Sequence, residues 1–219
     1  MSLLEYITFS FLEYLSLFVF IFVQFRFSIK ENITQIGMIA LLLSFVSYSF
    51  TSSDLNGVLP LVQFIIVLLY IRMVMKVTIF NALLMYFVGY IVLGVAQTCI
   101  VAVARHIQFL QGDLKPATYE GDVLQFISSC ILLLSSYVIY YLKGGFSFIE
   151  ARSRFSKKTF VGKNVIYISF VILAFIITVV SSIIMIELEN PPYLLIASIL
   201  LIILISLFYL SLRKDEVID

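Results

Sequence analysis

Seven runs rich in Leu, Ile, Val and Phe follow one another along the chain, near residues 3–25, 33–50, 55–71, 77–103, 123–142, 165–186 and 193–212, separated by shorter polar segments. A hydrocarbon core of ~30 Å requires about 20 helical residues, and each backbone group inside it must be bonded within its own helix. The seven runs are therefore expected to be transmembrane helices. The third meets the length requirement least cleanly, being short with Pro60 near its start. A proline in the first helical turn costs little, because that amide has no intrahelical acceptor in any case. The first run begins at Leu3 without a basic leader and carries Glu5 and Glu13, so it is expected to be retained as a membrane helix rather than cleaved as a signal peptide.

The polar connections differ in charge. Arg26 and Lys30 follow the first run, Arg72 and Lys76 the third, Arg213 and Lys214 the seventh. Lys143, Arg152, Arg154, Lys157, Lys158 and Lys163 crowd the connection after the fifth. The alternate connections, 51–54, 104–122 and 187–192, contain only Arg105 and Lys115. Cations near a span resist translocation, so this alternation supports both the number of helices and their direction, with the N-terminus outside and the C-terminus in the cytoplasm. Phe146, Phe148, Ile149, Phe155 and Phe160 interleave with the cations of 143–163. That mixture suits a segment lying at the inner interface, with Arg152, Arg154, Lys157 and Lys158 directed toward anionic lipid; a docking site for a partner protein has the same composition.

Composition agrees with a bilayer. The chain is 62% hydrophobic and 12% charged, and a mean hydropathy of +1.12 leaves too little polar surface for a soluble globule. A net charge of +1 and the absence of a second basic stripe argue against nucleic-acid binding. Cys99 and Cys130 lack CxxC spacing and are expected to be buried, unreactive thiols. His106 is the only histidine, so no multi-histidine metal site is expected, and none of the HExxH, GxSxG or glycine-rich phosphate motifs occurs. The last run has no lysine for a retinal Schiff base. Cys99 and His106 both fall on the outer side, the wrong side for a peptidase acting on precursors made inside. The expectation is a protein that is not an enzyme and has no cofactor.

Glu13 is the polar residue of greatest interest. It lies ten residues into the first run, ~15 Å along a helix, where a carboxylate must face the bundle and find a partner or take up a proton. Gln63, Gln97, Ser44, Ser47, Tyr86 and Tyr90 are the candidate partners. Toward the outer end of the fourth run, Gln97 and Cys99 precede Arg105 and His106, and Asp54 with the acidic 105–122 segment can complete a rim. Glu13, Gln63, Gln97, Arg105 and His106 form the candidate ligand-binding set. Interhelical bonding alone also accounts for Glu13, and an ordinary interfacial role accounts for His106.

Residues 9–97 carry a further pattern: Phe11 and Glu13 in the first run, Arg26 and Lys30 after it, Ile36-Gly37 opening the second, an apolar third, and Arg72 with Lys76 before the fourth. In this order of features the chain resembles the membrane sensor region of Gram-positive peptide-pheromone receptor histidine kinases of the accessory-gene-regulator type. The resemblance implies a bundle that receives a secreted peptide outside and passes a helix movement inward. It departs from that family after Leu212, where only RKDEVID remains and no phosphoacceptor or ATP-binding domain is present, so signalling would run through a separate kinase or other membrane protein.

The sequence thus leads to a single all-α domain over 1–219, a polytopic protein of the cell membrane, of bacterial plasma-membrane type. It is expected to be a sensor-like or accessory component of peptide quorum sensing, with small-solute transport and membrane assembly or immunity as rival roles. Reporters fused to the two ends are expected to signal from opposite faces of the membrane; signals from a single face mean an even number of crossings.

Overall fold

A computed structural model describes residues 3–53, 57–106, 118–146, 149 and 192–215, together with positions 169, 170, 172–174, 176, 177, 180, 181 and 184. All regular structure among them is helical: α1 (Leu3–Gln24), α2 (Ile29–Ser52), α3 (Leu59–Val74), α4 (Ile79–His106), α5 (Tyr119–Tyr141) and the C-terminal helix α6 (Tyr193–Asp215). The described positions between 169 and 184 are helical as well. Five of these helices, α1, α2, α4, α5 and α6, are long and apolar enough to cross a membrane. The 16 residues of α3 reach only ~24 Å.

Local chemistry moves several helix starts from where hydropathy puts them. Pro60 fits best in a first turn, so α3 begins at Leu59 rather than 55. Ser28 is extended, and the polar residues Lys30, Glu31 and Asn32 become the first turn of α2. Thr118 caps α5, its side chain accepting from the Gly121 amide at 3.1 Å, and thereby recruits Glu120 and Asp122 into a helix four residues earlier than expected.

Side-chain contacts set the relative directions. Tyr6 bonds Ser47 near the far end of α2, Gln63 of α3 bonds Tyr14, and Gln97 of α4 bonds Glu13. Phe9 meets Phe126 of α5 edge-on at 6.5 Å. Arg105, at the end of α4, lies over the Tyr193 ring at the start of α6 at 5.0 Å. Thus α1, α3, α5 and α6 run one way, and α2 and α4 the other. The described cations Arg26, Lys30, Arg72, Lys76 and Lys143 share one end, whereas Arg105 lies at the opposite end.

The helix at the centre is α1, which packs against α2, α4 and α5. Phe18, Ile21 and Phe22 are fully buried there with Ile36, Leu43, Leu84, Met85 and Ile91. Gly89 permits the approach of α4, since a Cβ there would stand 2.5 Å from the Ile21 side chain. The distribution of side chains is inverted relative to a water-soluble bundle. In α5 the buried residues are Asp122, Ser128, Ser129, Leu132 and Ser136, while Leu134, Tyr137 and Leu142 face outward. Small and polar residues let membrane helices approach and bond, and large apolar ones meet lipid equally well. Cys99 and Cys130 follow the same rule: rather than buried in the protein, both are exposed on the outside of the bundle.

At the cation-bearing end, α1 and α5 terminate alike. The Arg26 and Phe27 amides donate to Val23 and Phe22 carbonyls at 3.1 and 2.8 Å, and those of Lys143 and Gly144 to Tyr140 and Ile139 at 3.1 and 2.9 Å. These are Schellman closures, in which the residue after the cap is left-handed and usually glycine. Here that residue is Arg26 (φ 55°) or Lys143 (φ 50°), and Lys76 after α3 is left-handed too (φ 54°). A side chain in that conformation costs about 1 kcal/mol, offset in part by a cation's attraction to the negative helix end.

The two ends also grip one another. Arg26 donates from Nε to the Gly144 carbonyl at 3.2 Å and from its terminal nitrogen to that of Lys143 at 3.1 Å. In return the Phe146 amide donates to the Gln24 carbonyl at 2.7 Å, and the buried Phe146 ring packs on Phe25 and on Phe208 of α6. Gly145 makes the turn at φ 94°, and a Cβ there would stand 2.7 Å from the Gln24 carbonyl oxygen. Gly145→Ala is expected to lower stability by roughly 1–3 kcal/mol, read as a drop in melting temperature in detergent. Gly144→Ala, whose Cβ would meet nothing closer than 3.6 Å, is expected to behave as wild type.

Candidate functional site

The polar side chains of α1 recur at helical spacing, Tyr6, Ser10, Glu13 and then Ser16, and all four are buried. This stripe faces the bundle because hydrocarbon provides no hydrogen-bond partners. Glu13 Oε1 accepts from Gln97 Nε2. The match follows from the antiparallel packing of α1 on α4: Gly89 faces Leu17 and Ile21, and a further two turns along each helix bring Gln97 to Glu13. Toward α3, Tyr14 accepts from Gln63 Nε2. Toward α2, the Tyr6 hydroxyl is 2.8 Å from Ser47 Oγ and 3.1 Å from Thr51 Oγ1.

These groups surround a cavity of about 280 Å³ in the half of the bundle away from the clustered cations. Tyr6, Glu13 and Tyr14 line it from α1, Ser47 from α2, Gln63 and Val67 from α3, and the stacked pair Tyr86 and Tyr90 with Gln97 from α4. From α5 come Gly121, Asp122, Leu124 and Gln125. The wall is rich in acceptors. Two carboxyl groups contribute to it; among the described residues no Lys, Arg or His lines it, and Gln125 Oε1 is buried without a hydrogen-bond partner. A buried acceptor in that condition calls for a donor from a ligand or from water. The site is suited to a small group that is cationic or rich in N–H donors.

Of the five residues proposed from sequence, the structure brings three together: Glu13, Gln63 and Gln97 line this cavity. Arg105 and His106 do not. Eight and nine residues beyond Gln97, they lie more than two turns farther along α4, where Arg105 covers Tyr193 and His106 is exposed. Among the candidate partners of Glu13, Ser47, Tyr86 and Tyr90 line the cavity, whereas Ser44 returns its hydrogen bond to the Ala40 carbonyl of its own helix. Asp54 and the cations expected from sequence to face lipid or a partner, Arg152, Arg154, Lys157 and Lys158, lie outside the described residues.

Asp122 and Gln125 belong to the site although hydropathy assigns Asp122 to a loop. Their signal is Thr118 followed by Glu120 and Asp122 ahead of an apolar run, the mark of a helix N-terminus. Once α5 starts there, the i, i+3 spacing puts Asp122 and Gln125 on one face. No family model, curated protein or solved structure matches the chain.

The two readings of Glu13 separate by substitution. Glu13→Gln keeps an acceptor for Gln97 and is expected to fold with nearly unchanged stability. Glu13→Leu strands the half-buried Gln97 amide and is expected to cost about 1–3 kcal/mol, measured by thermal or denaturant unfolding in detergent.

Proposed function

We propose that this chain is a seven-span protein of the bacterial plasma membrane, N-terminus outside, that works as a sensor-like or accessory component of peptide signalling. Its cavity takes up a cationic or amide-bearing group of an extracellular peptide, and the resulting helix movement is passed to a separate membrane protein, of which a histidine kinase is the leading candidate. The seven-span reading draws support from α5 and α6, which run in the same direction: a chain joining them must return across the bundle between 142 and 192.

One observation carries the functional reading. Glu13 and Asp122 lie on α1 and α5, parallel helices that both border the cavity at one end and are held together by the Arg26, Lys143 and Phe146 bonds at the other. A ligand that draws α1 and α5 together or apart therefore acts on helices whose far ends carry the start of the basic 143–163 segment, and through Phe208 touch α6. The cavity admits one side chain or a terminal amine rather than a whole peptide, so most of the peptide would rest on the outer connections. The resemblance over residues 9–97 points the same way.

The size of the cavity also favours the transport alternative, since about 280 Å³ suits a small solute. Co-expression with a candidate receptor kinase and a reporter tests the first reading. Glu13→Gln and Asp122→Asn are each expected to raise the peptide concentration needed for half-response by roughly 10- to 100-fold, the loss of one charged hydrogen bond, at unchanged protein level. Vesicle uptake of a labelled amine that Glu13→Gln abolishes, with no peptide response, would establish transport instead.

A further inference from the structure

A second cleft, of about 900 Å³, opens at the opposite end of the bundle, where α2 and α5 both pack on α1. Among the described residues these two helices do not meet each other, so the α1 surface forms the floor of a gap between them. The gap is polar at one end and apolar along its length. Lys30, Lys143 and Arg26 border its mouth, and Val19, Val23 and Leu133 line the part that runs toward the middle of the helices. From Lys143 back to Leu133 is ten residues, ~15 Å of helix. Tyr137 and Tyr140, both largely exposed, stand at the level where tyrosines favour the headgroup boundary.

The charges are unbalanced. Among the described residues no carboxylate lines the cleft, and Glu31, next to Lys30, is exposed and is not part of the lining. Arg26 uses two of its five N–H groups on the Gly144 and Lys143 carbonyls, which fixes the guanidinium at the mouth; among the described residues the rest of the fork has no further partner. The first-turn amides of α2 open at the same place, with no side chain capping them from Ser28, and a helix N-terminus favours an anion. Three cations above an apolar trough match an amphiphile with a negative head and a hydrocarbon tail.

The geometry points to a binding site for one anionic phospholipid, its phosphate between Lys30, Lys143 and Arg26 and an acyl chain in the trough over α1. Basic pockets between membrane helices on the cytoplasmic side hold such headgroups. The site is built from residues other than the cations at 152–158. It rests on the bilayer reading and its orientation, and is independent of peptide sensing.

The test uses the full chain purified in detergent and supplied with phosphatidylglycerol or phosphatidylcholine, read by lipid retention in native mass spectrometry and by melting temperature. Wild type is expected to retain phosphatidylglycerol preferentially and to be stabilised by it. The double variant Lys30→Gln/Lys143→Gln is expected to bind it about 30-fold more weakly. Lys76→Gln, which removes a cation from the same end but outside the cleft, is expected to match wild type. Should the double variant fail to fold, Leu133→Trp fills the trough with the cations intact and is expected to abolish retention. Equal retention of the two lipids, wild-type retention by the double variant or by Leu133→Trp, or the same stabilisation by inorganic phosphate alone would overturn the proposal. A chain that is monomeric and lipid-free in buffer without detergent would instead overturn the bilayer reading beneath it.

Discussion

Hydrocarbon offers no hydrogen bonds, and every polar group on a helix inside it must be answered by another helix or carried to the surface. That constraint organises this protein. It turns the Tyr6, Ser10, Glu13 and Ser16 face of α1 inward, which makes α1 the helix that α2, α4 and α5 gather around. It gives Glu13 to Gln97 and Tyr14 to Gln63, and where the answering groups do not fill the space between the helices, it leaves an acceptor-lined cavity. The hydrophobic effect separates helices from water here but does little to choose between helix faces, because lipid is as apolar as leucine. Orientation within the bundle is decided by the minority of polar and small residues.

The same scarcity explains what could be read from residues alone. Apolar runs find α1, α2, α4, α5 and α6, because a span of 20 apolar residues has few other meanings. Glu13 is conspicuous for the same reason. Boundaries are a different matter, since Thr118, Ser28 and Pro60 act through single backbone interactions that a hydropathy window averages away. Asp122 illustrates the cost: with α5 begun at 123 it is a loop residue, and with α5 begun at Tyr119 it borders the cavity. Arg105 and His106 depart in the other direction. Nearness along α4 suggested a common site with Gln97, but two further helical turns carry them past the cavity.

The exposed cysteines show a habit of soluble proteins misapplied. An apolar neighbourhood in sequence implies a buried thiol only where the alternative is water. On the outside of a membrane bundle, Cys99 and Cys130 can be surrounded by apolar groups without touching the protein core.

Helix termination and membrane orientation are joined in single residues. Arg26, Lys76 and Lys143 each end a helix in the left-handed conformation, and each also belongs to the cations clustered at one end of the bundle, the charges from which an orientation is inferred. Glycine would relieve the backbone at any of these positions but give up the charge.

The grip between the ends of α1 and α5 has a bearing on how the molecule is made. Glu13 waits for a partner 84 residues downstream, and Arg26 for carbonyls 117 and 118 residues away. At ribosomal rates of about 5–20 residues per second, the first-synthesised helix spends on the order of ten seconds before its neighbours emerge. During that interval its carboxyl and its unfinished cation-bearing end must be sheltered by the insertion machinery or by water at its margin, so the hub of the finished bundle is also its most vulnerable nascent segment.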